Sequence, residues 1–267
     1  MYGAILGDII GSRFEFDRGG WKKEFKLFTG ESTWTDDTAM TVAVAEALTE
    51  AGKDADTQTL ESAVRSSLRN WGHLYPYAGY GGRFFDWLRS ANEEPYGSYG
   101  NGSAMRVSAA GLMYDSLERT REVARATANV THNHPEGIKG AECTAAVMYL
   151  ARTGMPKEEI RDYVIKEFGY DLSESLDELR ARHEHIESCQ DSLPKALTSF
   201  FEGVSFEDVI RNAVSLGGDT DTLAAIAGAM AEACYGVSDE LKEECRDRIP
   251  ADMREVLEKF YKKAAAV

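Results

Sequence analysis

Two segments of the chain place a hydroxyl and two carboxylates at the first turn of an apolar helix. Thr35-Asp36-Asp37-Thr38 runs into Ala39-Met40-Thr41-Val42-Ala43-Val44-Ala45, and Gly217-Gly218-Asp219-Thr220-Asp221-Thr222 runs into Leu223-Ala224-Ala225-Ile226-Ala227-Gly228-Ala229. Helix capping explains part of this, because Ser, Thr and Asp satisfy orphan N–H groups and acids suit the positive helix end. It explains one oxygen per helix, not two acids and a threonine at both mouths. Buried carboxylates are costly unless paired or bound to metal, and no basic residue lies within either segment. If the two mouths meet, Asp36, Asp37, Asp219 and Asp221 converge with the hydroxyls of Thr35 and Thr222. Mutual repulsion then favours proton uptake or cation binding. An all-oxygen donor set suits Mg²⁺, Mn²⁺ or Ca²⁺ rather than zinc, and four carboxylates can hold two ions.

Further acids and histidines stand in less decisive settings. Asp8 lies in the small-residue stretch Gly7-Asp8-Ile9-Ile10-Gly11 and reads as a buried capping acid. Glu15 sits between Phe14 and Phe16, where burial raises a carboxyl pKa and permits proton exchange near neutrality, although a surface glutamate has the same local sequence. His183 and His185 fall in a charged, helix-like stretch and read as surface residues. His132 follows an amphipathic segment and precedes Pro135, at a helix end where a ligand contact is feasible. Gly-x-Ser-x-Gly, Walker and dinucleotide-binding signatures are absent, so nucleophilic serine or cysteine catalysis has no support.

The elements that must position these groups are helical. Phe206, Val209, Ile210, Ala213 and Val214 form a stripe behind Ser205 as N-cap; Leu60, Val64, Leu68 and Trp71 form another behind Asp56 and Thr57. Similar stripes follow Pro156, Asp191 and Pro250. Alternating β-branched runs are nearly absent, and Phe25–Phe28 is the best extended candidate. The expectation is an all-α, compact single domain over 1–267 with about a dozen helices. The polar stretch from Ser173 to Asp191 reads as a surface insertion. Glycines cluster as Gly79, Gly81, Gly82 and as Gly97, Gly100, Gly102, the second set flanked by Asn101 and Ser103; a ligand loop and an ordinary loop fit such clusters equally well.

Composition narrows the function classes. The formal net charge is −15, from 30 Lys+Arg against 45 Asp+Glu, which argues against a nucleic-acid binder that works by neutralising phosphates. It leaves room for a small anionic ligand held by local groups. No basic residue occurs in the first twelve, and Asp8 interrupts their apolar run, so no secretory signal is expected. The longest apolar run, Leu223 to Ala231, is too short to span a membrane. Cys143, Cys189, Cys234 and Cys245 form no C-x-x-C pair and read as reduced thiols of a cytoplasmic protein.

Taken in chain order, the motifs resemble the ADP-ribosylglycohydrolase family, which includes the glycohydrolase that reactivates dinitrogenase reductase and the ADP-ribosyl-acceptor hydrolases of animals. The matching pieces are Gly7-Asp8 with Gly11-Ser12-Arg13-Phe14-Glu15, then Thr35-Asp36-Asp37-Thr38, then Gly97-Ser98-Tyr99-Gly100-Asn101-Gly102-Ser103-Ala104-Met105-Arg106, Thr131-His132, and Gly218-Asp219-Thr220-Asp221-Thr222. The resemblance implies a binuclear Mg²⁺ or Mn²⁺ centre with Thr35, Asp36, Asp37, Asp219, Asp221 and Thr222 as ligands. Glu15 looks like the family's essential glutamate, with Glu15, Asp36 and Asp219 assigned to the reaction itself. It also implies a ligand loop of Ser98, Tyr99, Gly100, Asn101, Gly102, Ser103 and Met105 around the diphosphate and distal ribose, with His132 and Glu15 touching the ligand.

The implied partner is an ADP-ribosylated protein or a small ADP-ribosyl conjugate, and the implied reaction releases ADP-ribose. An inactive ADP-ribose-binding protein on the same fold is the alternative. The diphosphate is expected to rest on backbone N–H groups around Gly100 to Ser103 without a basic side chain. The acceptor side is expected along Arg18 to Gly30 and the aromatic loop Trp71 to Trp87, with Arg18, Lys22, Lys23 and Lys26 as a local basic group. Nothing in the pattern demands an oligomer.

Overall fold

The computed structural model describes residues 1–16, 22–182 and 184–265, which leaves Arg18 and His183 outside the described residues. The chain runs through α1 (Tyr2–Gly11), α2 (Asp36–Ala51), α3 (Thr57–Leu74), α4 (Gly82–Arg89), α5 (Gly102–Met105), α6 (Ser108–Met113), α7 (Leu117–Asn129) and α8 (Pro135–Arg152). It continues through α9 (Lys157–Phe168), α10 (Leu176–Arg180), α11 (Cys189–Glu202), α12 (Phe206–Ser215), α13 (Thr220–Tyr235), α14 (Asp239–Arg248) and α15 (Ala251–Ala265). One 3₁₀ turn, Ser12–Phe14, follows α1. Among the described residues there is no strand, and the all-α expectation holds.

Helix α13 is the axis of the molecule. Every residue from Thr220 to Ala231 is buried, and α1, α8, α11 and α12 pack around it. A helix that is apolar on all sides belongs in such a position. Helix α1 meets it backbone to backbone. A Cβ at Gly3, Gly7 or Gly11 would stand 2.1 Å from Gly228 O, 2.0 Å from Ala224 O or 2.4 Å from Thr220 O, respectively. These glycines recur every four residues, so they form one face of α1. Thr220 Oγ1 closes the contact by donating to Gly11 O at 2.9 Å. In sequence Gly7 and Gly11 only bracket Asp8, and the shared face appears on packing.

The expected caps and stripes are present. Ser205 accepts from Asp208 N, and Asp56 accepts from Thr59 N. Leu60, Val64, Leu68 and Trp71 are buried, as are Ile160, Val164 and Phe168, and Met253, Val256, Leu257 and Phe260. Each such side chain contributes about 1.5–3 kcal/mol relative to exposure.

Three expectations need correction. Phe25–Phe28 is irregular, not extended in a strand; Phe25 packs on Phe14 with ring centroids 5.0 Å apart. The stretch from Ser173 to Asp191 is more than a surface insertion. A capping box of Ser175 and Glu178 starts α10, which buries Leu176 and Leu179, and Ser188 bridges to Gly100 beside the acidic cluster. Residues 184–187 are not helical, although their charge pattern suggested a helix.

Candidate active site

The site forms where three helix ends meet. Thr35 is the N-cap of α2 and accepts from Asp37 N at 3.3 Å. Asp8, on α1, caps the same helix from outside: it accepts from Thr35 N at 2.9 Å, Thr35 Oγ1 at 2.9 Å and Thr38 N at 3.0 Å, and also from Thr38 Oγ1. It is the buried capping acid read from the sequence. At α13, Gly217 and Gly218 take φ of 73° and 75°, a region that suits glycine. A Cβ at Gly218 would also stand 2.5 Å from Glu184 O. That tight turn delivers Asp219 and Asp221 to the mouth of α2. Thr222 Oγ1 donates to Asp37 Oδ2 at 3.0 Å, and Thr35 Oγ1, whose proton is shared with the nearer Asp8, lies 3.5 Å from Asp221 Oδ2. The 3₁₀ turn after α1 brings in Glu15, and one oxygen each of Glu15, Asp219 and Asp221 lies within 4.8 Å of the others.

The electrostatics follow from crowding. Burial, then Asp221 and Asp8, push the Asp37 carboxyl well above its ordinary range. Burial and Asp221 do the same to Asp219, and burial and Glu15 to Asp221. Asp36 is pushed up to about 8 by burial, Asp8 and Asp219. Glu15 is pushed up to about 7 by burial, Asp219 and Glu187. Asp37 Oδ1 is buried with no hydrogen-bond partner. An orphaned carboxylate oxygen among mutually repelling acids is a donor set awaiting positive charge, and its oxygen-only chemistry fits a hard divalent cation.

A cavity of about 370 Å³ opens beside the acids, within the size range of small-molecule sites. Glu15, Asp36, Asp37, Asp219, Asp221 and Thr222 are among its lining residues. Ser98, Gly100, Asn101, Gly102, Met105 and His132 line it too, together with Gly79, Gly81 and Gly82. The two glycine clusters therefore face one space. Asn101 ties loop to acids: its Nδ2 donates to Asp219 Oδ2 at 2.6 Å and to Ser192 Oγ at 2.9 Å.

Several expected contacts fall elsewhere. Ser103 is fully buried and donates to Gly137 O at 2.7 Å, away from the cavity. Tyr99 is half exposed and meets the His134 ring at a tilt, centroids 5.3 Å apart. Asn101 N–H is committed to Glu187 O at 2.8 Å, and Gly100 N–H to Ser98 Oγ at 3.2 Å, so neither is free for a phosphate.

The cavity is not without basic side chains, contrary to expectation: Arg83 and Arg106 both line it. Nothing local marks Arg83, and Arg106 stands out only as the last residue of a shared motif piece, so packing is what reveals their place at the cavity. Along the expected acceptor side, Trp71 and Trp87 are buried in the core, and Lys23 pairs with Asp208 at 2.6 Å. Within the stretch from Trp71 to Trp87, Gly79, Gly81, Gly82, Arg83 and Phe84 do line the cavity, and Phe16 and Glu187 join its wall. His185 is exposed at 2.8 Å from Glu187, as read for a surface residue.

Comparisons with known proteins give the chain a family. A family model described as ADP-ribosylglycohydrolase matches residues 1–267. The ADP-ribosylarginine hydrolase Tri1 of Pseudomonas putida (strain GB-1) is 30% identical over 275 residues, covering 89% of this chain and 70% of that protein. The human ADP-ribosylhydrolase ARH3 is 30% identical over 186 residues, 53% of this chain and 51% of its own length. The Xenopus tropicalis ADP-ribosylhydrolase ARH3 is 28% identical over 302 residues, covering 88% and 86%. Among solved structures, a chain from an ADP-ribosylglycohydrolase-related protein complex matches with a TM-score of 0.76 at 23% identity, covering 98% of this chain and 95% of that one. At that identity the likeness is one of fold.

Proposed function

The chain belongs to the ADP-ribosylglycohydrolase family, a family of glycohydrolase enzymes, and on that premise we propose that it hydrolyses the glycosidic bond joining ADP-ribose to an acceptor. The acceptor is a protein side chain such as arginine or serine, or a small conjugate, and free ADP-ribose is released. The observation that carries this reading is the meeting of the α2 and α13 mouths with Glu15 on one wall of a nucleotide-sized cavity. The relatives named as ADP-ribosylarginine hydrolase and ADP-ribosylhydrolase support it.

Hydrolysis breaks the bond from ribose C1″ to the acceptor atom. The bonding pair leaves with the acceptor, which takes a proton, while water adds its oxygen to C1″ and loses one. Positive charge builds on the ribose as the bond breaks. Glu15, half-buried at the cavity wall, holds or moves one of these protons at a carboxylate oxygen. The acids of both helix mouths favour developing positive charge. Asn101 keeps Asp219 in place through Nδ2, and Arg83, which also lines the cavity, carries the sign a diphosphate requires. Thr35, Asp36, Asp37, Asp219, Asp221 and Thr222 are the residues that would hold two Mg²⁺ or Mn²⁺ ions, which when bound supply Lewis-acid fixation of the ribose hydroxyls.

The deciding experiment is release of ADP-ribose from ADP-ribosyl-arginine and ADP-ribosyl-serine peptides, with and without Mg²⁺. Wild type turns over at least one substrate, whereas Glu15→Gln binds ADP-ribose but does not. Binding without turnover of any conjugate by wild type would reduce the protein to an ADP-ribose-binding module. Full activity of Glu15→Gln would remove that residue from the mechanism.

A further inference from the structure

Arg106 is only 1% exposed, and its hydrogen bonds run to neutral oxygens: Thr131 Oγ1 at 2.7 Å and Thr127 O at 3.4 Å. Its Nε is buried without a partner, and its guanidinium carbon lies 5.9 Å from the Phe84 ring centroid. A full charge held by so few groups is costly. Its best hydrogen bond leads to a histidine.

Thr131 Oγ1 lies 2.8 Å from His132 Nδ1. A guanidinium has protons to give and no lone pair to accept with, so Thr131 accepts from Arg106. The threonine hydroxyl has one proton, and His132 Nδ1 is its acceptor among the described contacts. Were Nδ1 to carry a proton instead, two donors would converge on Thr131 and its own proton would have no acceptor there. The donor count therefore leaves Nδ1 bare and puts the imidazole proton on Nε2. That nitrogen faces the glycine loop: a Cβ at Gly102 would stand 3.1 Å from it, and one at Gly100 3.7 Å. His132 is buried and lines the cavity.

We propose that Arg106 is a positioning residue that acts through Thr131 to hold His132 as its Nε2–H tautomer, giving the cavity a fixed, neutral donor aimed at an oxygen of bound ADP-ribose. Only the identity of the ligand rests on the function proposed above. Burial, then Arg106 and Arg83, keep the ring neutral by holding its pKa well below the ordinary value. Thr131 and Arg106 both belong to the shared motif pieces, and this chain of contacts gives them a task beyond packing.

The test starts with the ligand-free protein. With ¹⁵N-labelled imidazoles, wild-type His132 should show a protonated Nε2 and a bare, hydrogen-bonded Nδ1. A proton found on Nδ1 overturns the proposal, whatever the enzyme's activity. Thr131→Val should shift Nδ1 toward its unbonded position and weaken ADP-ribose binding about tenfold, a loss in the range of one hydrogen bond. Thr131→Ser should restore both, which simple loss of packing would not predict. Arg106→Met should weaken binding too, yet Arg106→Met combined with Thr131→Val should bind no worse than Thr131→Val alone. Additive losses would show that Arg106 acts on the ligand directly and would overturn the relay. Should wild type fail to bind ADP-ribose, the proposed function fails, and the nitrogen resonances still decide the tautomer.

Discussion

Thr222 Oγ1 donates to Asp37 Oδ2 at 3.0 Å across 185 residues of chain. That bond joins the first turns of α2 and α13, and it leaves the other oxygen of Asp37 buried without a partner. The joint is built from acids that repel one another, so the helices are held together elsewhere. Much of that holding falls to the glycine face of α1 and to Asp8.

Gly7→Ala should therefore destabilise the protein. Ala is favoured over Gly by about 1 kcal/mol inside a helix. Here the new methyl would sit 2.0 Å from Ala224 O, and the backbones would have to separate. A fall of about 3 kcal/mol or more in urea-unfolding stability is expected, in line with severe overpacking. A rise in stability would mean that α1 can retreat from α13 at no cost.

Divalent cations should stabilise the fold. Mg²⁺ or Mn²⁺ at about 100 times its Kd adds about 2.7 kcal/mol to unfolding stability. Asp37→Asn keeps an acceptor for Thr222 but removes a repelling charge. It should be more stable than wild type in chelator and should lose most of the metal-dependent gain in melting temperature. An identical metal response in the variant would remove Asp37 from the cation site.

Asn101→Ala strips Asp219 of its 2.6 Å donor. Turnover should fall about 10–100-fold, the usual effect of losing a group that orients a metal ligand. Steady-state release of ADP-ribose in saturating Mg²⁺ is the measurement. Unchanged kcat would show that Asp219 is oriented by other contacts.

Acid stability should depend on Glu232, far from the site. Its carboxylate meets the Met1 ammonium at 2.7 Å, Gly3 N at 2.7 Å and Tyr261 OH at 2.6 Å. Burial alone would raise its pKa, but the ammonium and these hydrogen bonds bring it below 4.5. The folded pKa lies under the unfolded one, so the contribution is complete above pH 4.5 and is lost as pH falls through the folded value. Glu232→Gln should destabilise the protein at pH 7, less than loss of a fully buried pair would because burial already lowers the Met1 amino pKa and lets it shed its proton, and should flatten the stability-versus-pH curve below 4.5. A variant curve parallel to wild type in that acid range would contradict this account.

Much of this protein was legible in its residues alone because the signals are local. Caps such as Ser205 and Asp56 act over three residues, and stripes such as Leu60, Val64 and Leu68 repeat at helical spacing. The surplus of acids at Thr35–Asp37 and Asp219–Thr222 was itself a chemical statement, since caps explain only one oxygen each. Folding was needed for everything decided at a distance. Whether the two acidic mouths meet depends on α1 lying glycine to backbone against α13, a contact set by shape rather than by pattern. Ser103 turns into the core and Asn101 toward Asp219, although both belong to one short loop. Nothing local marks Arg83, and although Arg106 closes a shared motif piece, only packing brings both to an acidic protein's cavity. Residue type and spacing set which chemistry was available; burial, which sets the strength of every charge and hydrogen bond, decided where it operates.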